Sequence, residues 1–268
     1  MNVGRGSLLD FHNHLMPGVD DGAADEAEAR SGLDALWAQG VRTVVATPHV
    51  EASLTRHDSE LQRRLTELDE GWRRLQDAVA GRYHELVLKR GAEVMLDTPE
   101  LDLSEERLRL AGGQYVLVEY PFMMVPPQSS RVLDHIRAGG YVPIVAHPER
   151  YANLTTTSEL PQEWREHGAL LQVNAGSITG RYGPQARANV LSLLQRGFAD
   201  FMCSDYHSRG VPATSSAYAA LAELAATEHA DLLMSVNPHR MLNGEMPLPV
   251  PPLSIERSFT ERVRRWFG

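Results

Sequence analysis

At 268 residues, 43% hydrophobic and 23% charged, the chain can fill one large α/β domain of ordinary globular make-up. A formal net charge of −9 excludes a nonspecific nucleic-acid binder, which needs a basic face to neutralise phosphates. The single cysteine, Cys203, excludes an intrachain disulfide and a cysteine-based zinc cluster. No apolar run reaches bilayer-spanning length and the start is too polar for a signal peptide, so a cytoplasmic protein is expected.

In chain order, a strand is expected over residues 8–11. A helix over 24–39 follows, with Ala27, Leu33, Leu36 and Trp37 on one side. A strand over 41–47 leads to a long helix over 59–80, where Leu61, Leu65, Leu68, Trp72, Leu75 and Val79 recur at helical spacing. Strands are expected at 86–90, 115–119, 142–146, 170–174 and 199–203, with helices at 128–138, 184–196 and 215–226. Gly40, Gly139-Gly140 and Gly197 stand where helices should stop. Most strand runs are continuously apolar, as parallel strands buried on both faces require. Such alternation suggests β/α units closing into a barrel of seven or eight strands.

Beyond Gly244 the texture changes, dividing a domain over 1–245 from a tail over 246–268. Residues 246–252 include four prolines and should run extended. Over 254–267, Ile255, Phe259, Val263 and Phe267 recur every fourth residue among Arg257, Arg262, Arg264 and Arg265, the pattern of an amphipathic helix. Docking of that helix on the domain is the favoured reading. Peripheral attachment to a partner or membrane surface is the minority one.

The strand ends hold the chemistry. His12 and His14 close the first run, His49 follows the second, and Glu93 the third. Glu119 ends the fourth, His147 follows the fifth, and Asp205 and His207 close the last. Any one of these alone would be read as a cap, a turn or a surface group. Six of seven strand endings carry His, Asp or Glu within two or three positions, which coincidence does not explain. The C-terminal ends of barrel strands open onto one face, so these residues would share one bowl and could hold metal. The seventh run ends at Asn174, a ligand-binding or turn residue. His57, His84, His135, His167, His229 and His239 lie outside the pattern and receive no role.

His12-x-His14, Asp20-Asp21-Gly22, Thr47-Pro48-His49, Gly91-Ala92-Glu93, Val118-Glu119, His147-Pro148-Glu149-Arg150-Tyr151 and Asp205-x-His207 resemble the polymerase-and-histidinol-phosphatase (PHP) superfamily. More narrowly, they resemble its bacterial protein-tyrosine phosphatase branch, the CpsB/YwqE type tied to capsule and exopolysaccharide synthesis. The resemblance runs from Leu8 to Gly244 and implies a distorted (β/α)7 barrel holding a three-ion cluster, manganese with iron or zinc as alternatives. It implies ligand roles for His12, His14, Asp21, His49, Glu93, Glu119, His147, Asp205 and His207, with Asp20 ranking behind Asp21. Glu93 suits a bridging role, since a carboxylate can give one oxygen to each of two ions.

The implied reaction is hydrolysis of phosphotyrosine, and the implied substrate in the cell is the phosphorylated tail of a bacterial tyrosine autokinase that controls polysaccharide export. Clustered cations would bind phosphoryl oxygens and acidify a water. Arg150 would clamp the remaining oxygens through its planar fork. Asp205, His207 or a water would protonate the departing phenolate. Relatives often carry basic residues where this chain has Val50-Glu51-Ala52-Ser53, and an arginine where it has Gly210-Val211-Pro212; Arg209 is the substitute for substrate binding.

Rival readings stay in the same region. Cys203 and Arg209 are spaced Cys-x5-Arg, as in thiol-dependent phosphatases, but the intervening loop lacks glycine and carries Asp205, so the match reads as accidental. A histidinol-phosphate or other small phosphomonoester phosphatase is the main enzyme alternative, with a 3′–5′ exonuclease behind it. A non-catalytic partner that binds a phosphorylated kinase tail is the alternative of a different class.

Overall fold

Short runs of Val, Leu and Ile can pair only if both their faces are covered, and amphipathic helices supply the cover. The computed structural model describes residues 7–254. The strands are β1 (Leu8–Asp10), β2 (Val41–Ala46), β3 (His49–Glu51), β4 (Val87–Arg90), β5 (Glu93–Met95), β6 (Tyr115–Glu119), β7 (Val142–Ala146), β8 (Leu170–Asn174) and β9 (Phe201–Cys203). Every ladder is parallel, in two sheets of order β1-β2-β4 and β3-β5-β6-β7-β8-β9.

The structure has two strands that the sequence did not predict, β3 and β5, each starting at a candidate ligand just past an expected run. Pro48 has no N–H and breaks the ladder between β2 and β3. Gly91 breaks it between β4 and β5, where a side chain would stand 3.1 Å from the Arg109 carbonyl oxygen and the Leu110 Cα. Hydrogen bonds continue across the gaps, from Gly91 N–H to the Ala46 carbonyl (2.9 Å) and from Glu93 N–H to the Pro48 carbonyl (3.0 Å). Past the ends of β1 and β9, Asp205 N–H donates to the His12 carbonyl (2.8 Å) and His14 N–H to the Tyr206 carbonyl (2.9 Å). The segments that follow the first and last strands therefore meet.

The five expected helices form with ends shifted by at most three residues: α1 (Glu26–Ala38), α2 (Asp58–Val79), α3 (Ser130–Ala138), α6 (Gly183–Gln195) and α7 (Thr214–Glu223). The Asp25 carboxylate caps α1, accepting from Ala27 and Glu28 N–H at 2.9 Å. Short α4 (Leu160–Glu166) and α5 (Ala175–Ile178), and helical turns between residues 227 and 242, were not anticipated. Residues 245–254 form neither helix nor strand; Val250 and Leu253 are buried, and Leu253 N–H donates to the Leu194 carbonyl (2.9 Å). The predicted tail helix falls on residues 255–268, outside the described residues. Among the described residues no helix is long and apolar enough to cross a membrane.

Alternate residues of each strand enter different cores. Leu9, Phe11, Val45, Leu117, Ile144 and Phe201 pack together on one side of the strands, whereas Val116, Val118, Val145, Leu171 and Met202 pack outward with helix residues such as Leu133, Val190 and Leu221. Phe201 meets Phe11 edge-on, with ring centroids 5.1 Å apart and planes at 89°. Phe201→Ala should leave a cavity there and lower unfolding free energy by about 3–5 kcal/mol. Urea denaturation reads this as a lower midpoint at unchanged slope.

Candidate metal centre

The ends of these strands gather the acids and imidazoles that the sequence scatters. Ligand atoms of four sets of residues lie within 4.8 Å of one another: His14, Asp21, His49 and His207; His12, Glu93 and His147; His12, His14 and Asp205; His49, Glu93 and Glu119. All nine candidates marked in the sequence fall in these overlapping groups. The parallel register places His49 opposite Glu93 and Met95 opposite Glu119, so neighbouring strands aim their side chains into one space.

Glu93 sits at the middle and is fully buried. Its Oε2 lies 3.1 Å from His12 Nε2, 3.4 Å from His14 Nε2 and 3.2 Å from His49 Nδ1. Close as they are, these atoms lack hydrogen-bond geometry: Glu93 Oε2, His12 Nε2, His14 Nε2 and His49 Nδ1 are all buried without a hydrogen-bond partner. Distance alone suggests ion pairs, but the misaligned geometry is the better guide, since buried polar atoms normally find partners. Groups packed around a common space without bonding one another fit a site for cations.

The outer nitrogens are held from behind. His12 Nδ1 donates to Gln172 Oε1 (2.7 Å) and His14 Nδ1 to Asp20 Oδ2 (2.8 Å), which leaves each Nε2 lone pair facing the centre. His207 Nδ1 faces the Asp205 carbonyl at 3.1 Å. Asp20 also accepts from Gly22 N–H (3.0 Å) and His49 N–H (3.2 Å), so it orients the site from the side where Asp21 faces it. Neither Gln172 nor the orienting part of Asp20 was recognised in the sequence. Gln172 left a trace, as the polar member of an otherwise apolar strand.

Burial opposes charge on His12, Glu93 and Asp205, and these three overcome it together. His12 is pushed up to about 9 because Glu93 and Asp205 outweigh its desolvation. Glu93 and Asp205 are held well below the usual carboxylate range despite burial, chiefly by His12 and its neighbouring imidazoles. The carboxylates thus demand positive charge in this space, which protons or divalent cations can supply.

Beside the centre opens a cavity of about 250 Å³ lined by Asp21, Arg150, Arg181, Tyr182, Asp205, Tyr206, His207 and Arg209. Arg150 donates to Asp205 Oδ2 and lies 4.2 Å from the Tyr182 ring centroid. Asn174 Nδ2 donates to the same Oδ2 (2.8 Å), while its Oδ1 accepts from Gly176 N–H (2.8 Å) and shapes the turn into α5. Arg209, 76% exposed, stands on the rim and donates to the Asp21 carbonyl (3.2 Å). Arg181 and Tyr182 were missed, since an aperiodic loop gives no warning of where its side chains fall. Cys203 lies in the inner core, its thiol pushed well up by burial, which is unsuited to a nucleophile.

Gly22 lets the Asp20–Asp21 loop approach the first strand closely. A side chain there would stand 2.0 Å from the His14 carbonyl oxygen. Gly22→Ala should therefore displace the loop at a cost of about 1–3 kcal/mol. Thermal denaturation at matched pH measures the loss, and parent-like stability would contradict it.

The CpsB/CapC family, described as capsular polysaccharide synthesis, matches residues 8–243. The tyrosine-protein phosphatase YwqE of Bacillus subtilis is 30% identical over 203 residues, covering 75% of this chain and 78% of its own. The tyrosine-protein phosphatase CpsB of Streptococcus pneumoniae is 25% identical over 248 residues, covering 89% and 100%. A crystal structure from work on YwqE and CpsB, described as unique metal-dependent tyrosine phosphatases, superposes with a TM-score of 0.72 and 26% identity. It covers 93% of this chain and 100% of that one. On the family match over nearly its whole length, this chain belongs to the CpsB/CapC family.

Proposed function

We propose that the chain is a metal-dependent protein-tyrosine phosphatase. The observation that carries this reading is the buried, unbonded Glu93 Oε2 among three imidazole nitrogens, beside a cavity collared by Arg150, Arg181 and Arg209. Relatives named tyrosine-protein phosphatases support it.

His12, His14, Asp21, His49, Glu93, Glu119, His147, Asp205 and His207 would hold a cluster of three cations, with Glu93 bridging. Manganese suits the mixed oxygen and nitrogen set, which also accepts iron or zinc. Bound cations would supply Lewis acidity toward phosphoryl oxygens and an acidified water. The chain's own residues do the rest. Arg150 binds the phosphoryl group, held in place by Asp205 and Tyr182; Arg209 meets it from the rim. Asp205 joins clamp to cluster, since one oxygen holds Arg150 and the other faces His12 and His14. With His207, it stands where a proton could pass to the leaving phenolate.

The fold is read as a distorted seven-stranded β/α barrel, β2 with β3 and β4 with β5 each counting once, closed where β1 meets β9. The seam hydrogen bonds support that closure. The substrate would be the phosphorylated tail of a bacterial tyrosine autokinase in the cytoplasm, a reading supported by the family's description in capsular polysaccharide synthesis.

Metal analysis alongside turnover of a phosphotyrosyl peptide tests this. A strong chelator should abolish turnover and manganese restore it, while Glu93→Gln loses metal and activity together. Arg150→Ala should keep its metal but lose about 100-fold in kcat/KM. Cys203→Ser should stay active. An inactive Cys203→Ser with indifference to chelation would reverse the assignment.

A further inference from the structure

Between His147 of the centre and Arg150 of the clamp stands Glu149, a buried acid with no part in the proposed chemistry. Its Oε1 accepts from Asn174 N–H (2.8 Å) and from the Ser177 hydroxyl (2.6 Å), while its Oε2 is buried without a hydrogen-bond partner. Burial pushes its carboxyl up, and the bonds from Ser177 and Asn174 oppose that rise. A carboxyl with an orphaned oxygen fills a core poorly, since an apolar side chain of that size would escape the desolvation cost.

The bonds of Glu149 close a ring around the clamp. Arg150 donates to Asp205 Oδ2, and Asn174 Nδ2 donates to the same oxygen. Asn174 N–H then returns to the side chain of Glu149, the residue before Arg150. The Glu149 carbonyl is itself fixed, accepting from Asn189 Nδ2 on α6 (3.1 Å). The end of β8 and the segment carrying Arg150 are thereby locked to each other, and both hold the one Asp205 oxygen that meets the guanidinium.

We propose that Glu149 is a positioning residue: through Asn174 and Asp205 it holds the Arg150 guanidinium in the geometry that receives the phosphoryl group. This rests on the phosphatase reading of the site. Without the carboxyl oxygen, Asn174 N–H loses its acceptor, and the amide that steadies Asp205 Oδ2 is free to shift.

Binding of inorganic phosphate to the manganese-loaded protein, followed by calorimetry, reads the clamp without turnover. Glu149→Met keeps the volume and removes the carboxyl oxygens; it should retain its metal and bind phosphate about tenfold more weakly. Glu149→Gln keeps an oxygen for Asn174 and Ser177 and should restore parent-like affinity. A double-mutant cycle with Arg150→Ala separates positioning from general loosening. Once the guanidinium is gone, Glu149→Met should cost nothing further, whereas a loosened fold would add its own loss. Asn174→Ala opens the ring at its next joint and should show the same loss and the same non-additivity, so the test stands even where Glu149→Met does not fold. Parent-like phosphate binding in Glu149→Met or Asn174→Ala, or losses that add in the cycle, overturns the proposal. The expected losses in a protein that hydrolyses no phosphoester would instead sink the phosphatase reading and leave the ring standing.

Discussion

A carboxylate removed from water needs a counter-charge, and the arrangement around Glu93 answers that need. Burying an isolated carboxylate costs several kcal/mol even after relaxation. Here Glu93 is fully buried and its Oε2 makes no hydrogen bond, so nearby imidazoles or the cations they can hold must balance it. The local chain geometry follows from that requirement. Breaks at Pro48 and Gly91 restart two strands at His49 and Glu93, and the parallel register sets these two residues side by side. Uninterrupted ladders would have kept the apolar alternation running and left no such pair.

A second buried acid secures the seam. Asp10 lies two residues before the His-x-His pair and accepts from the N–H of His12 (3.3 Å) and Ser204 (3.2 Å), as well as from the Ser204 hydroxyl. Burial raises its carboxyl, and the Ser204 hydrogen bonds oppose that rise. One side chain thus fixes two motifs that are 194 residues apart, setting His12 against Asp205. Asp200 does related work below, bonding Arg165 and accepting from Leu171 N–H at 2.8 Å. The candidate centre is rigid because acids beneath it tie neighbouring strands together.

What the sequence could disclose follows from the same physics. An apolar run that ends in His or Glu is a local pattern, so the strand ends and their nine candidates were visible without coordinates. Asp10 and Gln172 were legible only as polar residues inside apolar strands, and their partners come from elsewhere in the chain. Pro48 and Gly91 stood just past two expected strand ends, and nothing after them announced that strands as short as β3 and β5 would follow. Short α4 and α5 carry too few turns for periodicity to register. Arg181 and Tyr182 belong to a loop whose path only the packed structure determines.

The site also shows how an acidic protein can favour a compact anion. A net charge of −9 repels extended polyanions at long range. Within the cavity that balance reverses locally, with Arg150, Arg181 and Arg209 facing the space beside the carboxylates. A nucleic acid would bring many phosphates to the acidic surface for each one it placed in the collar, so repulsion would grow with its length. A single phosphomonoester places its whole charge among the arginines and carries none elsewhere. The same cavity is also lined by the aromatic side chains of Tyr182 and Tyr206. A phosphotyrosyl ester fits both features, with a dianionic phosphoryl group for the guanidiniums and an aryl ring for the tyrosine side chains. Long-range repulsion and the arginine collar thus discriminate by different physical means, and phosphotyrosine is a substrate that meets both.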